Sequence, residues 1–387
     1  MKKKVFIVLL VFIMIFSSGC WDRVEIEENA FVFGIALDVN KERTEKEDIE
    51  KGEIKPFYES DKGAIRTIFT VPIPSKMKEA GEDAFESIEA SGENIPSCMR
   101  VIERKINKII YLGQTKMCVF TIDMLNNKQY FMDAVDFLER DPERNRNMKV
   151  AAVNGSIDDY IKVKHYLDNN LASYISGIFQ VGSKECCIIS EDLTELEGTL
   201  RSSKGNAVMP CIKITDGKAE VRDLALIKDY EFYQMVDQKY LRGFSIISNK
   251  LKKARKLVKY DDTIIPFYIT GVKTTVHLED KENLKYKVTV KVEGDIESFI
   301  LDEEISKEGK IEEIKSNLAK SLTMELSEVM DYFQNSIGID YLKIGEYTKK
   351  YHNKIYEKYE DNWDEAFKKA QFDFDVNVEI RRIGTIR

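Results

Sequence analysis

One cysteine stands where its thiol could accept a lipid. Small residues at positions 17–19 precede Cys20, and an apolar run of twelve residues, 5–16, follows three lysines at positions 2–4. A positive segment, a short apolar core and small residues before a cleavage site are typical of an export signal. An uncleaved membrane helix is the alternative, although twelve residues are fewer than the ~20 that span a bilayer. We therefore predict that residues 1–19 are a lipoprotein signal peptide and that Cys20 is lipidated.

The remaining residues able to bind a metal show no spacing that metal sites require. His165, His277 and His352 stand far apart, and no paired Cys-x-x-Cys motif is present. The five cysteines beyond Cys20 form no even disulfide framework, so we expect most of them to be small buried hydrophobic residues: Cys98, Cys118, Cys186, Cys187 and Cys211. The vicinal pair among them is expected in a strand. We predict no metal and no cofactor.

Motifs for nucleophilic or nucleotide chemistry are missing from the sequence. It contains no GxSxG, GxGxxG or GxxxxGK[ST] segment. The 67 acidic residues are spread over charged stretches and single out no catalytic pair, which leaves glycoside hydrolysis open. The pattern favours a binding or assembly protein, not an enzyme, with an exported hydrolase as one alternative.

The charge balance argues against a nucleic-acid partner. Removing the three lysines of residues 1–19 from 59 basic residues, against 67 acidic ones, leaves a net charge of −11 on residues 20–387. A polyanion needs a basic surface on its partner. The basic cluster at 250–256 is interpreted as the solvated face of a helix. No second apolar stretch of spanning length follows Cys20, so we expect a water-soluble body on a lipid tether.

Strands alternating with helices predict a first mixed α/β domain over 20–195. Short buried strands are expected at 31–38, 65–74, 117–122 and 147–153. One helix is predicted after Pro96, with an apolar face that includes Ile109, and another carries Phe131, Val135 and Leu138.

A small middle domain is predicted over 200–260. A leucine-striped helix at 191–203 ends before Gly205, and Asp216-Gly217 suits the tight turn of a hairpin. Residues 232–257 are predicted to be helical.

Period-two alternation in the last third predicts a C-terminal α+β domain over 264–387. Apolar residues alternate within 272–278, 286–292 and 372–380, while those of 311–333 repeat every three or four positions. The fold class is therefore α+β, with three mixed α/β domains, the last having a long helix over an antiparallel-rich sheet. Phe374, Val376, Val378 and Ile380 are expected to form one buried face.

Three blocks of this sequence resemble the Ger(x)C family, the lipoprotein C subunits of spore nutrient germinant receptors. The first follows the leader, the second ends a helix in the first domain, and the third closes the chain. They are Cys20-Trp21-Asp22-Arg23 with the strand at 30–38, Asp136-Phe137-Leu138 with Arg140-Asp141-Pro142-Glu143, and Asp361-Asn362-Trp363 with the strand at 374–380 and Arg381-Arg382-Ile383-Gly384.

The resemblance implies a receptor subunit that works beside multi-pass A and B subunits at the inner spore membrane. It implies three α+β domains on the outer leaflet, anchored through Cys20, and it names no reaction. The alternative function is a solute-binding lipoprotein that captures the germinant nutrient itself, so a small-molecule ligand stays open.

Three side chains are candidates for partner contacts. Trp21 suits either a bilayer interface, where amphipathic rings are favoured, or a linker. Arg140 and Asp141 suit either a partner contact or the end of a helix before Pro142. Trp363 is expected in the core.

Overall fold

The computed structural model describes residues 25–41, 63–76, 84–185, 188–260, 263–297 and 308–383. Its strands, numbered along the chain, are β1 Asn29–Phe31, β2 Gly34–Val39, β3 Ile65–Pro72, β4 Phe85–Gly92, β5 Ile109–Tyr111, β6 Met117–Thr121, β7 Lys149–Asn154, β8 Glu191–Asp192, β9 Ala207–Thr215, β10 Lys218–Lys228, β11 Glu231–Val236, β12 Ala254–Tyr260, β13 Thr263–Asp280, β14 Lys285–Ile296 and β15 Gln371–Ile383.

The helices are α1 Ile95–Glu103, α2 Ile122–Leu125, α3 Lys128–Arg140, α4 Ile157–Ile161, α5 Leu171–Glu185, α6 Leu193–Ser202, α7 Leu241–Ile247, α8 Glu308–Asp331, α9 Ile344–Tyr351, α10 Asn353–Tyr356 and α11 Trp363–Lys369. A π-helical segment, Tyr332–Ile337, continues α8, and short 3-10 turns occupy Ile26–Glu28, Gln238–Tyr240 and Glu360–Asn362.

The large sheet has the strand order β11-β10-β9-β7-β6-β2-β3-β4, and β8 pairs with β7. Its central strands β2, β6, β7 and β9 are parallel, and antiparallel hairpins extend it on both sides. Separate apolar clusters cover its two faces. Because both faces are buried, the central strands are almost continuously apolar.

Several sequence predictions in this sheet are confirmed. Strands β3, β6 and β7 and helices α3 and α6 lie where the patterns placed them. The β9–β10 hairpin turns at Asp216 and Gly217, whose φ angles of 51° and 70° are those of a tight left-handed turn. Strands β9 to β11, predicted for a middle domain, share the large sheet through the pairing of β9 with β7. The domain boundaries stay a prediction.

The second sheet has the order β12-β13-β14-β15. The first three strands are antiparallel, and β15 pairs parallel to β14. Helix α8 covers this sheet with a fully buried stripe: Ile314, Leu318, Leu322, Leu326, Val329 and Met330. The α+β class, with a long helix over an antiparallel-rich sheet, is therefore confirmed.

The predicted helix over 232–257 is wrong for most of its length. Residues Glu231–Val236 form β11, because Asp229 and Tyr230 both have positive φ, 52° and 64°, and turn the chain into a hairpin with β10. Within this range only the 3-10 turn Gln238–Tyr240 and α7, Leu241–Ile247, are helical. The basic cluster at 250–256 consequently lies in a loop and in β12, and one of its lysines, Lys256, is buried.

Two smaller expectations also need correction. Ile109 belongs to β5, which pairs with β1, because α1 ends six residues earlier at Glu103. The apolar residues of β15 pack against the core but are half-buried, since β15 is an edge strand of its sheet.

Candidate functional site

The two sheets are joined along a seam, formed by Glu191, Thr199, Ile227, Lys250, Tyr341 and Lys343. The Tyr341 hydroxyl donates a buried hydrogen bond of 2.9 Å to the carbonyl oxygen of Ile227 in β10. Lys343 Nζ donates to Thr199 Oγ1 of α6 at 3.2 Å. The chain segment that follows α8 is thereby fixed to β10 and α6.

An ion pair closes the other end of the seam. Lys250 Nζ lies 2.5 Å from Glu191 Oε2, and the Glu191 side chain is only 4% exposed. Burial raises the pKa of Glu191 above its ordinary value, and the neighbouring Lys250 opposes that shift. Removing the lysine would therefore leave a buried carboxyl without its counter-charge.

The cavity inside the seam is too small for a nutrient ligand. Its volume is about 30 Å³, and its walls include Asn206, Val208, Phe244 and Ser248. A space of this size suits about one water molecule. The seam is a packed joint, with no binding cleft between the two sheets at this point.

Asp340 organises the segment that follows α8. Gly338, with φ +71°, ends the π-helical extension, and the Asp340 carboxylate then accepts the backbone N–H groups of Ile344 at 3.1 Å and Gly345 at 2.6 Å. It also accepts the indole N–H of Trp363 at 2.9 Å. Burial raises the pKa of Asp340, although these hydrogen bonds act against the rise. One carboxylate thus caps the start of α9 and fixes Trp363 to it.

A polar groove of about 590 Å³ lies beside the seam, between the end of α6 and helices α9 to α11. One wall carries Arg201, Lys204 and Asn206, and the other carries Lys349, Tyr356 and the segment 360–364. The first part of the third block of the family resemblance, Asp361-Asn362-Trp363, therefore lines this groove. Both signs of charge and an aromatic pair, Tyr356 and Trp363 with ring centroids 5.3 Å apart, are present.

Most charges of the polar groove are already paired. Arg201 bonds to Glu139, and Lys349 lies 3.5 Å from Glu360. Lys343 reaches Glu346 at 4.0 Å. These charged side chains are therefore engaged in ion pairs at the surface. Other hydrogen-bonding groups of the polar groove are able to hold a small polar molecule.

The sequence-predicted contact residues do not gather at either feature. Cys20 and Trp21 lie outside the described residues. Arg140 ends α3 with an exposed ion pair to Asp136 at 2.8 Å, and the Asp141 carboxylate accepts the N–H of Glu143 at 2.8 Å. Their contacts are those of a helix end and a turn, and their role toward a partner stays a prediction. Trp363 is half-buried, packed against the core of the second sheet.

The sequence analysis missed two buried ion pairs. Arg144 lies 3.0 Å from Glu197 of α6, with side chains 9% and 8% exposed. Glu325 of α8 binds both Arg242 and Lys256. Both glutamates lie within the apolar stripe of a helix. An acid at such a position is the sequence signal that could have predicted a buried ion pair.

The described cysteines are buried thiols, and two of the histidines, His277 and His352, line one pocket beside Tyr347 and Tyr351. Cys98, Cys118 and Cys211 are free and buried, as expected, and burial raises the pKa of Cys98 to about 11 and of Cys211 to about 12. Such thiols stay protonated and unreactive at neutral pH. The pair Cys186-Cys187 lies outside the described residues. Within the described ranges, no three His, Cys, Asp or Glu side chains are grouped to hold a metal.

No helix in the described part of the chain combines the length and the apolar composition that crossing a bilayer requires.

Comparison with known proteins gives whole-chain matches. The family model for the spore germination protein N-terminal domain matches residues 22–214. The model for spore germination B3/GerAC-like C-terminal domains matches residues 222–384. Together they span both sheets and include all three sequence blocks except Cys20 and Trp21.

Curated relatives and a solved structure agree with these models. The chain is 20% identical to spore germination protein YndF of Bacillus subtilis (strain 168), covering 98% of this chain and 96% of that protein. It is 19% identical to spore germination protein B3 of the same strain, covering 98% and 97%. The crystal structure of the GerBC protein has the same fold, with a TM-score of 0.58, 14% identity, and coverage of 82% of this chain and 93% of that one.

Proposed function

The chain belongs to the Ger(x)C family of spore germination proteins, and from this premise we propose that it is the lipid-anchored subunit of a nutrient germinant receptor. In this role it holds or couples the multi-pass A and B subunits and catalyses no reaction. It acts on the outer leaflet of the inner spore membrane, anchored through Cys20.

The observation that carries the proposal is the length and order of the match. Two family models follow one another from residue 22 to residue 384, and the first begins two residues after Cys20. The predicted export signal stands directly before that point. An acylated cysteine followed by a water-exposed body is the arrangement that confines a protein to a membrane surface.

The joined architecture supports a coupling role. The seam fixes both sheets through Tyr341, Lys343 and the Lys250–Glu191 ion pair. A body connected in this way transmits force between two partners that bind different sheets. The Asp340 carboxylate is engaged in capping α9 and in fixing Trp363, which gives this buried acid a structural role.

Replacing the acyl acceptor tests the anchor. We expect Cys20→Ala to fold but to incorporate no labelled palmitate, since the thiol precedes the first strand. Cys98→Ala, which removes a buried thiol, is the control and should label like the wild type. Palmitate incorporation at the wild-type level in Cys20→Ala would show that the lipidation proposal is wrong.

Germination assays test the receptor role. Spores lacking the protein should lose their response to one class of nutrients and still germinate through routes that bypass nutrient recognition. Cys20→Ala should reproduce much of this defect at normal abundance, because tethering raises the effective concentration of the body near its partners. A full nutrient response in the deletion strain, with no redundant receptor expressed, would contradict the proposal.

The polar groove favours direct nutrient capture as a second candidate function. Its volume of about 590 Å³ falls in the range of small-molecule sites, and both charge signs suit a zwitterion. Calorimetry of the full chain against amino acids and sugars decides between the two functions. Tight binding that is lost in a Tyr356→Ala variant would favour capture, and the absence of binding would favour coupling.

A further inference from the structure

A second groove, called here the lysine groove, concentrates positive charge on an acidic protein. Its volume is about 680 Å³, and five lysines line it against two acids, Asp192 and Glu195. They are Lys116, Lys149, Lys184, Lys250 and Lys252. The chain as a whole carries a net charge of −8, so this local excess stands out from the average surface.

Three of these lysines are exposed and available to an anion. Lys149 lies 3.7 Å from Asp192, and Lys250 pairs with Glu191. In contrast, no contact of Lys116, Lys184 or Lys252 with an acid is found among the described residues. Lys116 donates to Ser173 Oγ at 3.1 Å and lies over the Phe33 ring, 5.4 Å from its centroid.

Neutral donors complete the lysine groove. Ser176, Gln180 and Ser183 of α5 line it at intervals of three or four residues, so they share one face of that helix. Asn145 and Asn147 also line it. Lysine ammonium groups interspersed with hydroxyl and amide donors suit phosphate oxygens.

The lysine groove lies at one end of the large sheet. This is the end at which β2, the first strand of that sheet along the chain, begins. Gly34 pairs with Met117, which pairs with Lys149, so these residues share the edge at which the parallel strands begin. The N–H of Lys116 donates to the carbonyl oxygen of Phe33 at 2.8 Å. Residue 20 stands thirteen positions before Phe33, a distance of ~45 Å at most for an extended chain.

We propose that the lysine groove contacts the phosphates of an anionic bilayer, the same membrane to which the tether is attached. This inference rests on the proposed lipid anchor. An anionic leaflet attracts each nearby lysine by ~1 kcal/mol, and it repels the acidic remainder of the body. The tether and the groove together fix one orientation, with the turn at Asp216-Gly217 on the opposite edge of the sheet directed away from the lipid.

Amine labelling of the full acylated chain in vesicles tests this orientation. One vesicle set contains phosphatidylcholine alone, and the other also contains phosphatidylglycerol. We expect Lys116, Lys184 and Lys252 to label about fivefold more slowly in the anionic vesicles, the ratio that ~1 kcal/mol gives. Equal labelling in the two lipids would overturn the proposal.

Exposed lysines at the opposite sheet edge provide the internal control. Lys164, Lys213 and Lys218 lie near the β9–β10 turn, where the N–H of Lys164 bonds to the carbonyl oxygen of Gly217 at 3.0 Å. Their labelling should be the same in both lipids. If they are protected as strongly as the groove lysines, the body has no fixed orientation and the proposal is wrong.

Matched triple variants separate the groove from general charge. In Lys116→Gln/Lys184→Gln/Lys252→Gln, the remaining groove lysine Lys149 should lose the protection that the anionic vesicles give it in the wild type. The control Lys164→Gln/Lys213→Gln/Lys218→Gln removes the same charge and should keep it. Thermal melting shows whether either variant is folded, and loss of protection in both would contradict the proposal.

Two further measurements identify the anion and test the lipid anchor separately from the lysine groove. If inorganic phosphate protects the lysine groove equally in detergent micelles, the groove is a free-anion site and the bilayer proposal fails. The protection should vanish at high salt, where the Debye length falls from ~10 Å at 0.1 M to ~3 Å at 1 M. If the peptide that contains Cys20 carries no acyl mass, the lipid-anchor proposal is wrong. If the chain is acylated but its groove lysines label equally in both lipids, only the proposed contact of the lysine groove with the bilayer is wrong.

Discussion

Glu325 shows how a single buried charge can be stabilised. Its carboxylate accepts two hydrogen bonds of 2.8 Å from Arg242 and a third of 2.8 Å from Lys256, with the Glu325 side chain only 13% exposed. Burial by itself would raise the pKa of Glu325, but the two cations outweigh it and hold that pKa below its ordinary value. The three residues come from α7, β12 and α8, so the charge cluster joins three elements.

Replacing Glu325 by Gln should lower the free energy of unfolding by about 3 kcal/mol, because the buried Lys256 and the partly buried Arg242 lose their counter-charge. The stabilisation by Glu325 is present above its ordinary pKa of 4.5 and is lost as the pH falls through its lowered value. The difference between wild type and variant should therefore shrink in acid. Urea unfolding at several pH values measures it.

Glu328 on the same helix provides the matched control. It is exposed, and Glu328→Gln should change the unfolding free energy by less than ~0.5 kcal/mol. If the two variants lose stability equally, the ion cluster has no special role.

Strand β15 shows why the second sheet depends on the C-terminal part of the chain. Its Val378 pairs with the buried Val292 of β14, while the neighbouring Asn377 pairs with Lys291 on the exposed face. The strand packs against α8 on one side only, which leaves its apolar residues half-buried. A period-two pattern thus specifies which face is buried, and the position at the sheet edge limits how deeply.

Val378→Asp should destabilise the second sheet by ~2 to 4 kcal/mol, because it places a carboxylate without a partner against the apolar core. Asn377→Asp introduces the same group one position away, on the exposed face, and should be nearly neutral. Thermal melting of both variants measures the contrast. An unchanged melt for Val378→Asp would mean that β15 does not cover the core.

The whole molecule depends on the seam to hold its two sheets together. The Tyr341 phenol, whose pKa is raised by burial, is protonated at neutral pH and donates to Ile227 across the seam. Because the proposed coupling needs one connected body, the seam is the place where a small change should affect both sheets. Lys250 lines both the cavity of the seam and the lysine groove, so the two features adjoin each other.

Tyr341→Phe should cost ~1 to 3 kcal/mol, since it leaves the buried carbonyl of Ile227 without its donor. Tyr351→Phe is the control, because that ring is 61% exposed. Hydrogen exchange should become faster in β10 and α9 of the Tyr341 variant alone. Unchanged exchange at both elements would show that the two sheets are held together by other contacts.

Local patterns in the sequence were sufficient for several features. Period-two alternation specified β14 and β15, the leucine spacing specified α6 and α8, and Asp216-Gly217 specified a hairpin. Each of these signals comes from residues close together along the chain, whose spacing alone determines which face is apolar. The predicted export signal before Cys20 rests on an equally local pattern. The helix predicted at 232–257 was wrong because Asp229 and Tyr230 turn the chain into a hairpin. Their positive φ angles leave no spacing pattern in the sequence from which this turn could be predicted.

The candidate sites depended on tertiary structure. Glu325 meets Arg242 and Lys256, Tyr341 meets Ile227, and Lys116 shares a groove with Lys252, although these partners are far apart in the sequence. Sequence spacing carries no information on such pairs, since they form only when β9 joins β7 and α8 packs over the second sheet. The sequence by itself determined the family, the strand faces and the predicted anchor. Only the fold decided which charges are buried together and which surface lies beside the beginning of β2.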